Sequence, residues 1–527
     1  MIEPSSLLTF IFLIPLLPLL ASTGIAIHVL SGRAVGDEGE VLTERLSVGS
    51  AVAVLLLLLI FDLAVFFDRV GGLIVVGNWF TSGDFTFPIS FAINGTSLAL
   101  ATEIAFLSWV TVSFSVRYLH REDGFHRFFL SLGLFLSGMQ LVTLAGNGLL
   151  VFVGWEFCGL SSYLLIGYAY LRPTATENAL FSFMANRIGD AGFLMGLAIA
   201  ILAINSTDWH DLATWAAESD FDKVTARLMI FGFLIAAIAK SAQLPFSPWI
   251  ARALEGPTPS SAIFYGAIMV HAGVWLVIRL APVLLHLPDT LRWLIGIGFL
   301  TALYGWFVGL VQTDVKSALI FATITQVGLM FLECGLGWFT LATWHLGLHA
   351  LWRTWQFLMA SSYMQLIGTG QMLSVPSYLI HRQGLWTAAL QRFWLDSLGL
   401  GLLARPLLNV GHDLQIFDDR VLARIVGMPS DLSPLDDLSP LVPIGEKGTR
   451  QEPEDDRVIC GHGLAGILLL WAAYHFQRFE SRLILGDNVW MRHVLHEIST
   501  ILLVTEDLLE QPRYLLLFII VTLVVII

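Results

Sequence analysis

Glu156 and Lys240 are charged residues inside runs of sequence apolar enough to cross a membrane. An ionisable group at the bilayer centre costs at least about 2.5–3.5 kcal/mol on insertion scales, so such residues are functional candidates by default. Arg187, Asp190, His271, His345, His349 and Arg353 also lie in or against apolar runs. A chain that holds this many titratable groups in lipid is read as one that moves protons or ions.

The spacing narrows the chemistry. Glu156 stands in LLVFVGWEFCGLSSYLLIGY between Gly154 and Gly159, small residues that let helices approach closely. A carboxyl there is suited to exchanging a proton as a neighbouring charge moves; a structural, hydrogen-bonded glutamate is the alternative. Lys240 stands in FGFLIAAIAKSAQLPFSPW, shortly before Pro245 and Pro248. Proline cannot continue the helical ladder, so a helix break is predicted just past the lysine. Broken helices at membrane depth are tolerated only where buried in protein or lining a watery cavity. That would place Lys240 to exchange protons, unless it snorkels to the interface.

Arg187 and Asp190 are three residues apart, on one helical face. They form either a self-neutralising pair or part of a charge relay. His345, His349 and Arg353 repeat every four residues in TWHLGLHALWRTWQFL, again one face. Histidine titrates near neutrality and suits a proton relay. Two histidines at this spacing could begin a zinc site, but no Cys, Asp or Glu nearby in sequence supplies further ligands, and no metal is expected. His271 is placed mid-span; Tyr265, six residues earlier, does not share a narrow helical face with it. Asp314 and Lys316 sit near a span boundary and read as interface anchors.

These residues need a membrane-spanning frame. Hydrophobic residues make up 56% of the 527, and charged residues only 13%, far below the roughly 25% of a soluble domain. Eleven apolar runs fall between about residues 6 and 366, each near the ~20 residues a span requires. The first lacks a basic leader and reads as a retained span. GGLIVVGNWFTSGDFTFPISFAING, between the second and third runs, reads as a small hairpin outside the membrane. Lys and Arg concentrate in the odd-numbered loops, which assigns these to the cytoplasm.

After about residue 367 the pattern changes. An acidic, Pro-rich stretch near 430–457 reads as an exposed linker. A span near 459–476, an amphipathic helix near 478–509 and a terminal apolar run are expected to follow. The expected domains are 1–94, 95–366, 367–457 and 458–527. The net charge of −13 sits mostly in loops and offers no surface for nucleic acid. Cys158, Cys334 and Cys460 show no metal-ligand spacing. No nucleotide loop, nucleophile elbow or haem motif appears, so no cofactor is expected.

In order along the chain, VGWEFCGLSSYLLIGY, ANRIGDAGF, AKSAQLPFSPWIARALEGPTPSSA, QTDVKSALIFATITQVGLMF and HLGLHALWRTWQFL resemble the antiporter-like subunits of respiratory complex I, the NuoL type, and their Mrp-type antiporter relatives. The resemblance implies an all-α polytopic membrane protein of about 13–14 transmembrane helices. It implies two inverted repeats, each built on a broken helix, and proton translocation across the inner membrane. It matches Glu156 to the family's key glutamate and Lys240 to its first-repeat lysine, the expected partner of that glutamate. Arg187 and Asp190 match polar residues of the next helix, and His345 and His349 the histidines of a central hydrophilic axis.

Tyr265 replaces the family's histidine after the PTP segment, and Arg353 replaces its central lysine. The second broken helix and its lysine are missing between about 367 and 385. These departures are similar to those of shortened DabB-type subunits. Such subunits pair with DabA, a zinc protein resembling β-carbonic anhydrases, in inorganic-carbon uptake. The implied partners are the bilayer and either a DabA-like zinc protein or complex I/Mrp-type subunits.

Overall fold

The computed structural model describes residues 9–366 apart from 33, 68–70, 84, 219–220 and 268, then 381–399, 401, 409–411, 414, 471, 474 and 475. The chain divides into two units, Met1–Leu403 and Ala404–Ile527. In the second, His475 Nδ1 lies 2.9 Å from the Trp471 carbonyl. Most of the expected connecting segment lies outside the described residues, as do nearly all of the expected span near 459–476 and the whole of the amphipathic helix near 478–509 and the terminal apolar run.

The first unit opens with α1 (Leu13–Leu30) and α2 (Gly36–Phe66). The antiparallel hairpin β1 (Gly72–Ser82) and β2 (Phe85–Ile93) follows, its register running from Gly72 opposite Ile93 to Ser82 opposite Phe85. Then come α3 (Gly95–Tyr118), α4 (Phe125–Leu144), α5 (Gly148–Ile166), α6 (Pro173–Ile204), the short α7 (Trp209–Ala216) and α8 (Lys223–Lys240). The chain continues through α9 (Pro248–Arg252), α10 (Thr258–Ser261), α11 (Ala272–Arg279) and α12 (Ala281–Leu284). It proceeds to α13 (Pro288–Gly309), α14 (Val315–Gly335), α15 (Phe339–Leu366), α16 (Gln383–Leu390) and α17 (Leu395–Gly399).

Among the described residues, nine helices are long and apolar enough to span a membrane. The protein is an all-α, multi-pass membrane protein, with one β-hairpin among the described residues. α8 and α15 are not among the nine, and they are the helices that carry Lys240, His345, His349 and Arg353.

Three local features hold the site's helices in place. Fully buried Asn147 caps α5, accepting from Leu150 N at 2.8 Å. Its Nδ2 donates to the Pro88 carbonyl and to Ser90 Oγ, each at 2.8 Å. The cap satisfies an orphan helix-end donor and ties the helix bearing Glu156 to the hairpin. Secondly, α4 and α5 touch backbone to backbone: a Cβ on Gly154 would lie 2.5 Å from the Gly138 carbonyl oxygen. Gly154→Val is therefore expected to separate the two helices at a cost of about 1–3 kcal/mol, seen as a lowered unfolding temperature in detergent. Thirdly, α6 meets α8 through small residues. A Cβ on Gly189 would meet Ala239 Cβ at 2.6 Å, and one on Gly192 the Gly232 carbonyl at 2.8 Å. This close crossing brings Arg187 and Asp190 to the end of α8 that carries Lys240.

Candidate functional site

α8 ends at Lys240, and helix resumes only at Pro248. Between them Ala242 adopts φ +50° and the Leu244–Pro245 peptide is cis. Helix ends leave orphan carbonyls that cannot stay unmet in lipid. Here Gln243 N donates to the Ile238 carbonyl at 2.9 Å and Trp249 Nε1 to the Ala239 carbonyl at 2.8 Å. Leu244 N donates to Thr301 Oγ1 at 3.1 Å. The break is a built feature, with these backbone groups engaged.

Lys240 is buried, 1% exposed. Its Nζ donates to the Trp155 carbonyl at 3.3 Å and lies 5.1 Å from the centroid of the same indole. Trp155 Nε1 in turn donates to Asp190 Oδ1 at 2.7 Å. Arg187 Nη2 contacts Asp190 Oδ2 at 3.0 Å and Glu156 Oε2 at 2.5 Å. Two carboxylates, one guanidinium and one ammonium thus form a formally neutral cluster drawn from α5, α6 and α8.

Glu156 was expected to partner Lys240; its ion pair is with Arg187 instead. Gly159, one turn after Glu156, explains how Arg187 reaches it. A Cβ there would lie 2.9 Å from Arg187 Nη2 and 3.6 Å from Lys240 Nζ. Gly159→Val is expected to push Arg187 off Glu156 and lower proton flux several-fold per folded molecule, measured after reconstitution.

A second polar group lies along α15. The segment leading into α11 is irregular: a π-helical turn covers Ala262–Ala267 and a 3-10 turn Met269–His271. π-turns inside membrane helices often accompany functional sites. Gly266 seats on the backbone of Thr354, with a Cβ there 2.6 Å from Thr354 N. His271 Nε2 and His349 Nδ1 are 2.9 Å apart. Arg353 Nε donates to His349 Nε2 at 3.4 Å, and the His345 and His349 rings are 6.3 Å apart, edge to face. Ser241 Oγ donates to the Val270 carbonyl at 2.6 Å, joining the end of α8 to the turn that carries His271. Tyr265 instead donates to the Ile250 carbonyl at 2.9 Å.

Sequence reasoning missed several members. Glu333, near the end of α14, meets His345 Nδ1 at 2.9 and 3.1 Å, and Gln326 Oε1 lies 2.9 Å from His345 Nε2. Asp62 accepts from Thr102 at 2.7 Å, tying α2 to α3. Glu103 of α3 faces a cavity of about 530 Å³ beside Gly347. All three acids sit in spans and could have been found by the rule that singled out Glu156. Lys316 Nζ donates to Thr258 Oγ1 at 2.7 Å, holding α14 against α10. Asp314 caps α14, accepting from Ser317 N at 2.8 Å.

Residues 145–400 match the family described as "NADH:quinone oxidoreductase/Mrp antiporter, TM". Residues 79–129 match "NADH-Ubiquinone oxidoreductase (complex I), chain 5 N-terminus". The chain is 36% identical to NADH-quinone oxidoreductase subunit L of Escherichia coli (strain K12), over 54% of this chain and 47% of that protein. It is 34% identical to NADH-ubiquinone oxidoreductase chain 5 of Canis lupus familiaris, over 56% of this chain and 48% of that one. It spans about half the length of the curated relatives it matches. A chain of the Mrp complex from Dietzia sp. DQ12-45-1b aligns at a TM-score of 0.57 and 25% identity, covering 69% of this chain and 39% of that chain. The matched regions contain both polar groups and the broken α8–α9 element, and the chain belongs to the family of antiporter-like membrane subunits of NADH:quinone oxidoreductases and Mrp antiporters.

Proposed function

We propose that this chain is a proton-conducting subunit that couples a proton gradient to work done by a partner protein. The observation that carries the reading is the neutral four-charge cluster of Glu156, Arg187, Asp190 and Lys240 at a break in α8. A proton delivered to Lys240 or taken from it unbalances the cluster. Trp155 and Arg187 then pass that change to Asp190 and Glu156 through contacts already made. His271, His345, His349 and Arg353 extend the polar line beyond Lys240.

The finer reading is a DabB-type subunit. Its partner would be a DabA-like zinc protein that hydrates CO2 to bicarbonate, and this chain would supply the driving force. Arg353 in place of a proton-releasing lysine supports it, as does the missing second lysine between about 367 and 385. Arginine does not release its proton in proteins, so the second half of an ordinary antiporter-like pathway has no exchanging lysine here. The second reading is a proton-pumping subunit of a complex I, hydrogenase or Mrp-type assembly, favoured by the 36% identity to subunit L.

Mild-detergent purification of the tagged protein, with mass spectrometry and metal analysis, separates the two. A single large zinc-bearing partner is the expected result. Several partners carrying flavin and iron–sulfur clusters would replace the first reading with the second.

A further inference from the structure

α14 and α15 border an open groove of about 720 Å³. Its polar lining is Gln326, His345, His349, Arg353 and Gln356. Arg353 is 5% exposed, and among the described residues no carboxylate pairs with it. Glu333, the one acid within these two helices, is engaged by His345, and Asp314, which caps α14, accepts from Ser317 N. Arg353's own hydrogen bond is to His349 Nε2.

That bond fixes the protons of the neighbouring rings. An arginine N–H only donates, so His349 Nε2 accepts. The His349 proton therefore sits on Nδ1 and is donated to His271 Nε2, 2.9 Å away. In this arrangement both imidazoles are neutral, and Arg353 is the uncompensated charge of the group. Gln356 Oε1 is likewise buried without a donor. A guanidinium held at membrane depth is costly without an anion.

The mouth of the groove is apolar and outward-facing. Leu348 is 63% exposed and Trp352 57%, and Trp352 packs on Trp355 with ring centroids 5.0 Å apart. Lipid tails would cover these side chains but bring no charge to Arg353. A helix with one acidic side chain would do both. Among the described residues only Nε of the guanidinium is engaged, which leaves the two terminal nitrogens for a forked carboxylate contact.

We propose that this groove receives a transmembrane helix of a partner subunit, with an Asp or Glu of that helix paired to Arg353. The proposal rests on the reading above that the chain works in a heteromeric assembly.

The test uses the full chain in its native membrane assembly. A benzophenone amino acid is placed at Leu348 or Trp352, with Trp293 of α13 as an exposed control. The expected result is a crosslink from Leu348 and Trp352, but not Trp293, to one membrane-spanning partner peptide that contains Asp or Glu. Changing that acid to Arg should lower partner recovery at least about tenfold, equivalent to 1.4 kcal/mol, and Arg353→Glu in the same complex should restore it. Arg353→Lys should keep the partner and Arg353→Gln should lose it. Crosslinks to lipid, to a second copy, to Ala404–Ile527 of the same chain or to a peptide without an acid would overturn the proposal. The crosslinks are made with Arg353 intact, so a variant that fails to fold does not decide the matter. A partner that co-purifies without touching the groove removes this proposal alone. A chain with no partner at all removes the assembly reading with it.

Discussion

Replacing Arg187 with methionine is expected to destabilise the protein by about 3 kcal/mol, the lower end of the range for removing one member of a buried ion pair, because the Arg187 side chain is itself 32% exposed. Arg187 binds two carboxylates at once, Glu156 at 2.5 Å and Asp190 at 3.0 Å. Asp190 is almost fully buried, its side chain 4% exposed, while Glu156 retains 27%. Glu156 therefore has space to turn away. Asp190 keeps only its bond from Trp155 Nε1. Adding Glu156→Gln to the same chain should recover part of the loss, because one stranded carboxylate is gone. Groups in one network are coupled and their effects do not add. Thermal unfolding in detergent reads both variants. An Arg187→Met protein with an unchanged midpoint would mean that the three side chains do not act as a unit.

Lys240→Ala is expected to reduce proton flux to background, a fall of at least about tenfold, or roughly 1.4 kcal/mol in the limiting barrier. The ammonium is buried, held by a single carbonyl and an indole face, at the end of a broken helix. Removing it leaves two carboxylates facing one guanidinium, so the cluster carries one negative charge and holds a proton it would otherwise pass on. Lys240→Arg separates charge from exchange. It preserves the positive charge and should preserve folding, yet it should not restore flux, because a guanidinium does not give up its proton. Flux in the arginine variant equal to wild type would show that Lys240 supplies charge alone. Glu156→Gln should also lower flux while the protein stays folded, since Arg187 retains Asp190.

The first-half cluster was largely legible in the sequence because each member is a charge in an apolar run. The i, i+3 spacing of Arg187 and Asp190 and the prolines after Lys240 supplied the local geometry. Pairing was less legible. Arg187 reaches Glu156 only because Gly159 leaves room, a fact of helix crossing rather than of spacing. His271 and His349 meet across 78 residues through a π-turn, and regular helical periodicity misplaces side chains in such a segment. Glu333 was overlooked because His345 lies on the next helix, with a tight turn at Gly337 between them. Glu103 and Asp62 escaped notice because the runs around them carried no recognisable motif.

Proton flux by the purified assembly in liposomes, driven by an imposed membrane potential and followed with an internal pH dye, addresses the central claim directly. The expected result is potential-driven acidification in wild type that is lost in Lys240→Ala and strongly reduced in Glu156→Gln. Equal flux in wild type and Lys240→Ala, from folded protein with its partner attached, would contradict a proton path through this cluster.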